Sequence, residues 1–216
     1  MKKLFLFLLL FLVSPVYAQN ATTFCTRMST RVNVHSYLGT PKYITQYSRQ
    51  EFLKKADLPP SPYTLGLTVA KLDIQAQAKP TFTQQDGQIC IEIGEIDVEM
   101  TYPQLTIYID KKYPPSSCEY QIIKDHENYH VHVAQQALSF FKKDVEKTIT
   151  TSLDKLSPKI VSNQNEIKQA FNQLIQPILT DLKRLATHIN KKLAEKNAAI
   201  DTKEMYQETT ARCRNW

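Results

Sequence analysis

Residues 116–141 read SSCEYQIIKDHENYHVHVAQQALSFF, and the reading of this stretch decides the rest. Apolar or aromatic residues recur at 122, 126, 129/130, 133, 137 and 140/141, and the series continues at 145 and 149. That spacing is the 3.6-residue period of an amphipathic helix. Ser116 followed three residues later by Glu119 has the form of a capping box, with Ser116 at the N-cap. The pattern predicts a helix from this point to about Leu153. Within it, His126 and His130 are four residues apart and therefore share one helical face. Two imidazoles so placed can reach a single ion, each about 2 Å from zinc. Glu127, rotated by roughly 100° from His126, flanks that ion without ligating it. There it can take a proton from a water that zinc has acidified to a pKa of about 7.

Upstream of Pro114-Pro115 the period is two. Gln104–Asp110 is the cleanest strand, with Leu105, Ile107 and Ile109 on one face and Thr106, Tyr108 and Asp110 on the other. Gln88–Met100 alternates around a β-bulge expected at Gly94, and Leu65–Ala78 alternates before it. Asp86-Gly87 is the turn between them. Arg31–Tyr37 and Pro41–Tyr47 around Gly39-Thr40-Pro41 have the pattern of a hairpin. Lys54–Pro62, with three prolines, is read as a connection. Downstream, Glu166–Lys196 carries a second helical stripe, which Pro177 should kink or divide. A short helix opens at Asp201. The expected fold is α+β: a mostly antiparallel sheet of about four to six strands in residues 19–115, then helices over 116–216.

The first eighteen residues combine Lys2 and Lys3, an apolar run from Leu4 to Val13, and Val16-Tyr17-Ala18. They are read as a secretory signal peptide cleaved after Ala18. The run is too short to span a bilayer, and no later run is longer. The mature chain of about 198 residues can bury one sizeable core. Its lysines are spread among glutamates on apparent helices and do not form the dense basic blocks that bind nucleic acid. Only four glycines are present, so phosphate-cradling loops are excluded too. Cys25, Cys90, Cys118 and Cys213 form no CxxC pair. An even count in an oxidising compartment reads as two disulfides, for which three connectivities are open. The pairing taken forward is Cys25–Cys90 with Cys118–Cys213.

The stretch from about Gln104 to Val133, with TIYIDKKYPP before SSCEY and HENYHVHV, resembles the zincin metallopeptidases. More narrowly, it resembles uncharacterised bacterial families predicted to be secreted zinc-dependent proteases. The resemblance implies one zinc ion, His126 and His130 as ligands, Glu127 as catalytic base, and a peptide or protein substrate. It also implies that Leu105–Asp110 is an edge strand able to pair with an extended substrate. No HExxHxxGxxH pattern is present, so the third ligand is open. His132 points away from the ion on a continuous helix. Glu146 lies about 24 Å along the axis from His130, and His188 sits in a polar gap. In the tail, a Cys118–Cys213 bridge would fix Glu208 within reach, with Glu204 second. Glu204 also has a plain role as the third residue after an N-cap at Asp201. Tyr206 can donate to the oxyanion of a peptide-bond intermediate, its plainer role being packing of the tail helix.

Three functions follow as expectations. The first is a secreted or periplasmic zinc peptidase. The second is a non-catalytic binding protein with a closed, structural metal site. The third reads the motif as coincidental and the long helices as a partner- or membrane-contacting surface.

Overall fold

The computed structural model describes residues 24–26, 28–60, 63–214 and 216. The expected signal segment and its cleavage point lie outside them. The chain is α+β, as its two periodicities require. Seven strands are β1 (Arg31–Tyr37), β2 (Lys42–Ile44), β3 (Gly66–Ala70), β4 (Asp73–Gln85), β5 (Gln88–Thr101), β6 (Leu105–Ile109) and β7 (Lys159–Val161). The α-helices among the described residues are α1 (Arg49–Lys55), α2 (Cys118–Asp154), α3 (Ile167–Ile200) and α4 (Lys203–Ala211).

The strands form two sheets that share one plan. In the larger, the order is β1-β5-β4, with β7 also on β5; in the smaller it is β2-β6-β3. Apart from β7, each strand of the larger sheet is joined in sequence to a counterpart in the smaller, β1 to β2, β5 to β6 and β4 to β3. The smaller sheet thus repeats the three-strand plan of the larger across a crease in the chain path, with β7 added to the larger alone. The outer strands are parallel (β1 with β5, β2 with β6) on one side and antiparallel (β4 with β5, β3 with β6) on the other. Two expectations are corrected by this crease. Arg31–Tyr37 and the strand after it form no hairpin, because both run parallel to the central strand in different sheets. Gly39 accordingly lacks the positive φ that a tight hairpin turn needs. Leu65–Ala78 breaks at Lys71-Leu72, where Leu72 is buried and the Asn190 side chain bonds both its N–H and its carbonyl at 2.9 Å. A third correction concerns β6, which is the central strand of the small sheet and not an edge.

The β4–β5 hairpin follows its sequence signals closely. Asp86 (φ 49°) and Gly87 (φ 77°) form the two-residue turn. The register slips between Lys79 and Pro80, leaving Gly94 unpaired as the bulge. A β-carbon at Gly94 would collide with Thr81 Oγ1. Past the bulge, Ile96, Val98 and Met100 point inward while Glu95, Asp97 and Glu99 do not. Two further departures are local. Lys54–Pro62 is not wholly a connection, since α1 occupies its start. Asp110, expected on the open face, is buried because its carboxylate accepts from Arg49 N and Lys112 N.

The main core lies between the large sheet and the antiparallel pair α2 and α3, and includes Ile91, Ile96, Met100, Val145, Ile149, Ile178 and Ile189. Pro177 lies inside α3 without dividing it. A smaller core joins Ile107, Ile109, Tyr113, Tyr120 and Ile123 under the small sheet. The disulfides are Cys25–Cys90 and Cys118–Cys213, the pairing expected.

Candidate metal centre

The N-cap of α2 is Ser117, one residue later than expected, and its hydroxyl accepts from Tyr120 N at 3.1 Å. Cys118 is thereby the first helical residue, and its bridge to Cys213 holds the tail against this end of the helix. One face of the next two turns carries Ile123, Glu127 and His130 into the interior. His126 and His130 converge as the spacing requires. Their Nε2 atoms are 3.3 Å apart, with the rings edge to face.

The third member of the group is Asp201. Its Oδ1 lies 2.9 Å from Nε2 of both histidines. It is the residue that ends α3, and Thr202 takes the capping role for α4, accepting from Met205 N at 3.2 Å. That overturns the reading of Asp201 and Glu204 as a capping pair and frees the Asp201 carboxylate. Glu204 and Glu208 are both exposed on α4, and the His126–His130–Asp201 group includes neither. His188 is exposed, and His132 turns away to meet Gln136 Nε2 at 2.9 Å.

A signal for Asp201 was present in the sequence. The buried stripe of α3 steps by fours through Ile189 and Leu193, and two more steps of four reach Asn197 and Asp201. Polar residues on the continuation of a core stripe need partners. Asn197 has one, its Oδ1 lying 3.1 Å from His130 Nδ1. With Nδ1–H donating to that oxygen, Nε2 presents its lone pair toward Asp201 and His126.

Three lone-pair atoms at these separations repel unless a cation or extra protons lie among them. Four ligands about 2.0–2.1 Å from a tetrahedral ion are about 3.3 Å from one another, and the observed 2.9–3.3 Å is close to that. The group could therefore hold a metal ion. The electrostatics agree. Burial alone would raise the Asp201 pKa, but its bonds to His126 and His130 outweigh burial and lower it. Burial likewise opposes a charge on His130, and Asp201 with Glu127 reverses that and raises its pKa.

Glu127 is beside the group and not within it. It is 2% exposed, and Thr68 Oγ1 on β3 donates to its Oε2 at 2.8 Å. Burial pushes its pKa up, against the pull of the two histidines. β3 comes this close only because residue 66 is glycine. A β-carbon there would lie 2.7 Å from Glu127 Oε1 and from Ile123 Cγ2. Tyr206 on α4 also reaches the site, its ring centroid 5.6 Å from that of His126. Burial raises its pKa, reinforced by the carboxylates of Asp201 and Glu127. Its hydroxyl interacts with Asp201 and Thr64. Glu127, His130, Asp201 and Tyr206 face an open cleft of about 250 Å³ whose opposite wall comes from β3 and the segment before it.

Two disulfides suit an oxidising, extracellular setting, and no helix among the described residues is long and apolar enough to cross a membrane. No family model matches the chain, and neither a curated protein nor a solved structure matches it.

Proposed function

We propose that the protein is a zinc-dependent peptidase of the HExxH class, exported by its N-terminal segment and acting outside the cytoplasm. The observation that carries the reading is the position of Glu127: buried, held by Thr68, next to the metal-competent group and facing an open cleft. Two imidazoles and one carboxylate are a donor set suited to zinc. When bound, the ion supplies Lewis-acid polarisation of a carbonyl and acidifies a water. The work of the chain's own residues is distinct. His126, His130 and Asp201 hold the ion, and Asn197 fixes the His130 tautomer. Glu127 Oε1, the oxygen not bonded to Thr68, accepts a proton from water and returns it to the leaving amine. Tyr206, kept protonated, is a hydrogen-bond donor beside the developing oxyanion.

The substrate-pairing role expected of β6 passes to β3. It pairs with β6 along one edge only, and Gly66, Leu67 and Thr68 line the cleft. An extended peptide can add to its other edge. The alternative of a closed structural site is disfavoured because, among the described residues, no fourth His, Cys, Asp or Glu joins the group.

The test is Glu127→Gln in the zinc-loaded full chain, with an unfolded generic protein as substrate. The variant should keep its zinc and lose about 10²–10⁴-fold in chelator-sensitive hydrolysis. Hydrolysis at the wild-type rate by the variant, or none by the zinc-loaded wild type, defeats the reading.

A further inference from the structure

We propose that the cleft selects peptides by a bulky apolar side chain, which packs against Leu53, Leu58 and Tyr63 beside the metal group. This deepens the peptidase reading and rests on it. The wall begins at the end of α1. Asp57 takes a left-handed conformation (φ 55°), Asp57 N bonds Lys54 O at 3.2 Å, and Leu58 N bonds Leu53 O at 3.0 Å. These are the two bonds of a Schellman motif, whose usual companion is an apolar contact between the residues here numbered 53 and 58. Local backbone chemistry therefore sets Leu53 and Leu58 side by side, and Pro59-Pro60 stiffens the exit. The surface is formed before any ligand arrives, which spares a ligand the cost of ordering it.

Its exposure is what calls for an occupant. Leu53 is buried, but Leu58 is 44% and Tyr63 49% exposed in a cleft whose other lining residues, Gly66 and Leu67 apart, present hydroxyls, an amide and ionisable groups. Every cleft residue contributed between α1 and the end of β3 is uncharged, whereas Glu127, Asp201 and Lys203 stand on the side of α2, α3 and α4. A peptide laid along β3 has alternate side chains on opposite faces. One can then meet the apolar wall while its backbone faces Glu127. The wall is also wider than the metal cleft. Leu53 and Leu58 line a second cavity of about 720 Å³ with Arg49, Lys54 and Asp57, so the chain can continue past the apolar contact.

The experiment uses the zinc-loaded full chain and two fluorogenic peptides of glycine, serine and alanine, one with a single central Leu and its twin with Asp there. The Leu peptide should be cleaved with a kcat/KM at least about tenfold higher, the scale of one buried aliphatic side chain. Leu58→Asp and Tyr63→Ser should keep zinc content and the folded state, read by circular dichroism, while erasing that preference. Equal cleavage of both peptides overturns the assignment and leaves the peptidase reading intact. If neither is cleaved, calorimetric binding to the zinc-loaded Glu127→Gln chain decides. A Leu preference that Leu58→Asp removes upholds the wall and no preference defeats it, while the peptidase reading stands or falls separately on hydrolysis of the unfolded protein.

Discussion

The two halves of α2 share one period and bury different chemistry. From Val133 to Ser152 its inner face is Val133, Ala134, Ala137, Leu138, Phe141, Val145 and Ile149, closed by Ser152, whose hydroxyl donates to Asp181 at 2.7 Å. From Cys118 to Val131 the same face carries Glu119, Glu127 and His130 among Tyr120, Ile122 and Ile123. The first set lies in the large core and the second beside the small one. Burying an ionisable group costs several kcal/mol unless a partner repays it. The N-terminal half must therefore borrow stability from elsewhere in the chain. It does so through the cap at Ser117, the bridge at Cys118, Thr68 on β3, Asn197 on α3 and Asp201 at its C-cap. One end of the helix holds the fold, and the other is held in place by it.

That contrast can be broken in three ways, the largest first. Asp201→Ala or His130→Ala should weaken zinc binding on the order of a thousandfold, since each removes one of the three groups proposed as ligands. Glu204→Ala and Glu208→Ala should leave affinity within experimental error. Competition against a fluorescent chelator measures all four, and wild-type affinity in Asp201→Ala would dismantle the centre as described. At the other end, Ile149→Ala should cost about 2–5 kcal/mol in urea unfolding, because it empties a fully buried site. The folded variant should bind zinc as the wild type does, and a parallel loss of affinity would mean the two halves are not separable. The smallest effect is the most specific. Asn197→Leu removes the acceptor for His130 Nδ1–H and should lower zinc affinity about 10–100-fold. Its unfolding free energy should move by less than about 1.5 kcal/mol. Asn197→Asp restores an acceptor and should recover the affinity, and failure of that rescue would reduce Asn197 to packing.

What could be read from sequence was what depends on near neighbours. The HExxH face, the length of α2, the Asp86-Gly87 turn and the Gly94 bulge are set by spacing or by a single residue's backbone freedom. The disulfides also came out as expected, although Glu208, which the Cys118–Cys213 bridge was expected to bring to the ion, is exposed and outside the group. The crease was not legible, because a two-residue break such as Lys71-Leu72 looks like continued alternation until Asn190, far along the chain, claims its backbone. α1 was hidden by its size. It buries only Phe52 and Leu53, although Ser48 and Glu51 form a capping box that announces it. Asp201 was misread for a more instructive reason. An aspartate before a helix is the usual N-cap, but Thr202 next to it does that work equally well, and local rules do not say which of two adequate caps will be used.

The Cys118–Cys213 bridge encloses the segment from His126 to Asp201, so two closures are nested in one loop of chain. Both act on the same search: the bridge fixes where the tail returns, and an ion held by the group would fix where α3 ends. Closures that favour a common arrangement are linked, and linkage is reciprocal. By whatever factor oxidation of the two thiols tightens the grip on an ion, a bound ion must favour the oxidised pair by that same factor. On the proposed reading the centre and the staple would be thermodynamically linked, and titrating either one against the other measures the linkage from both sides.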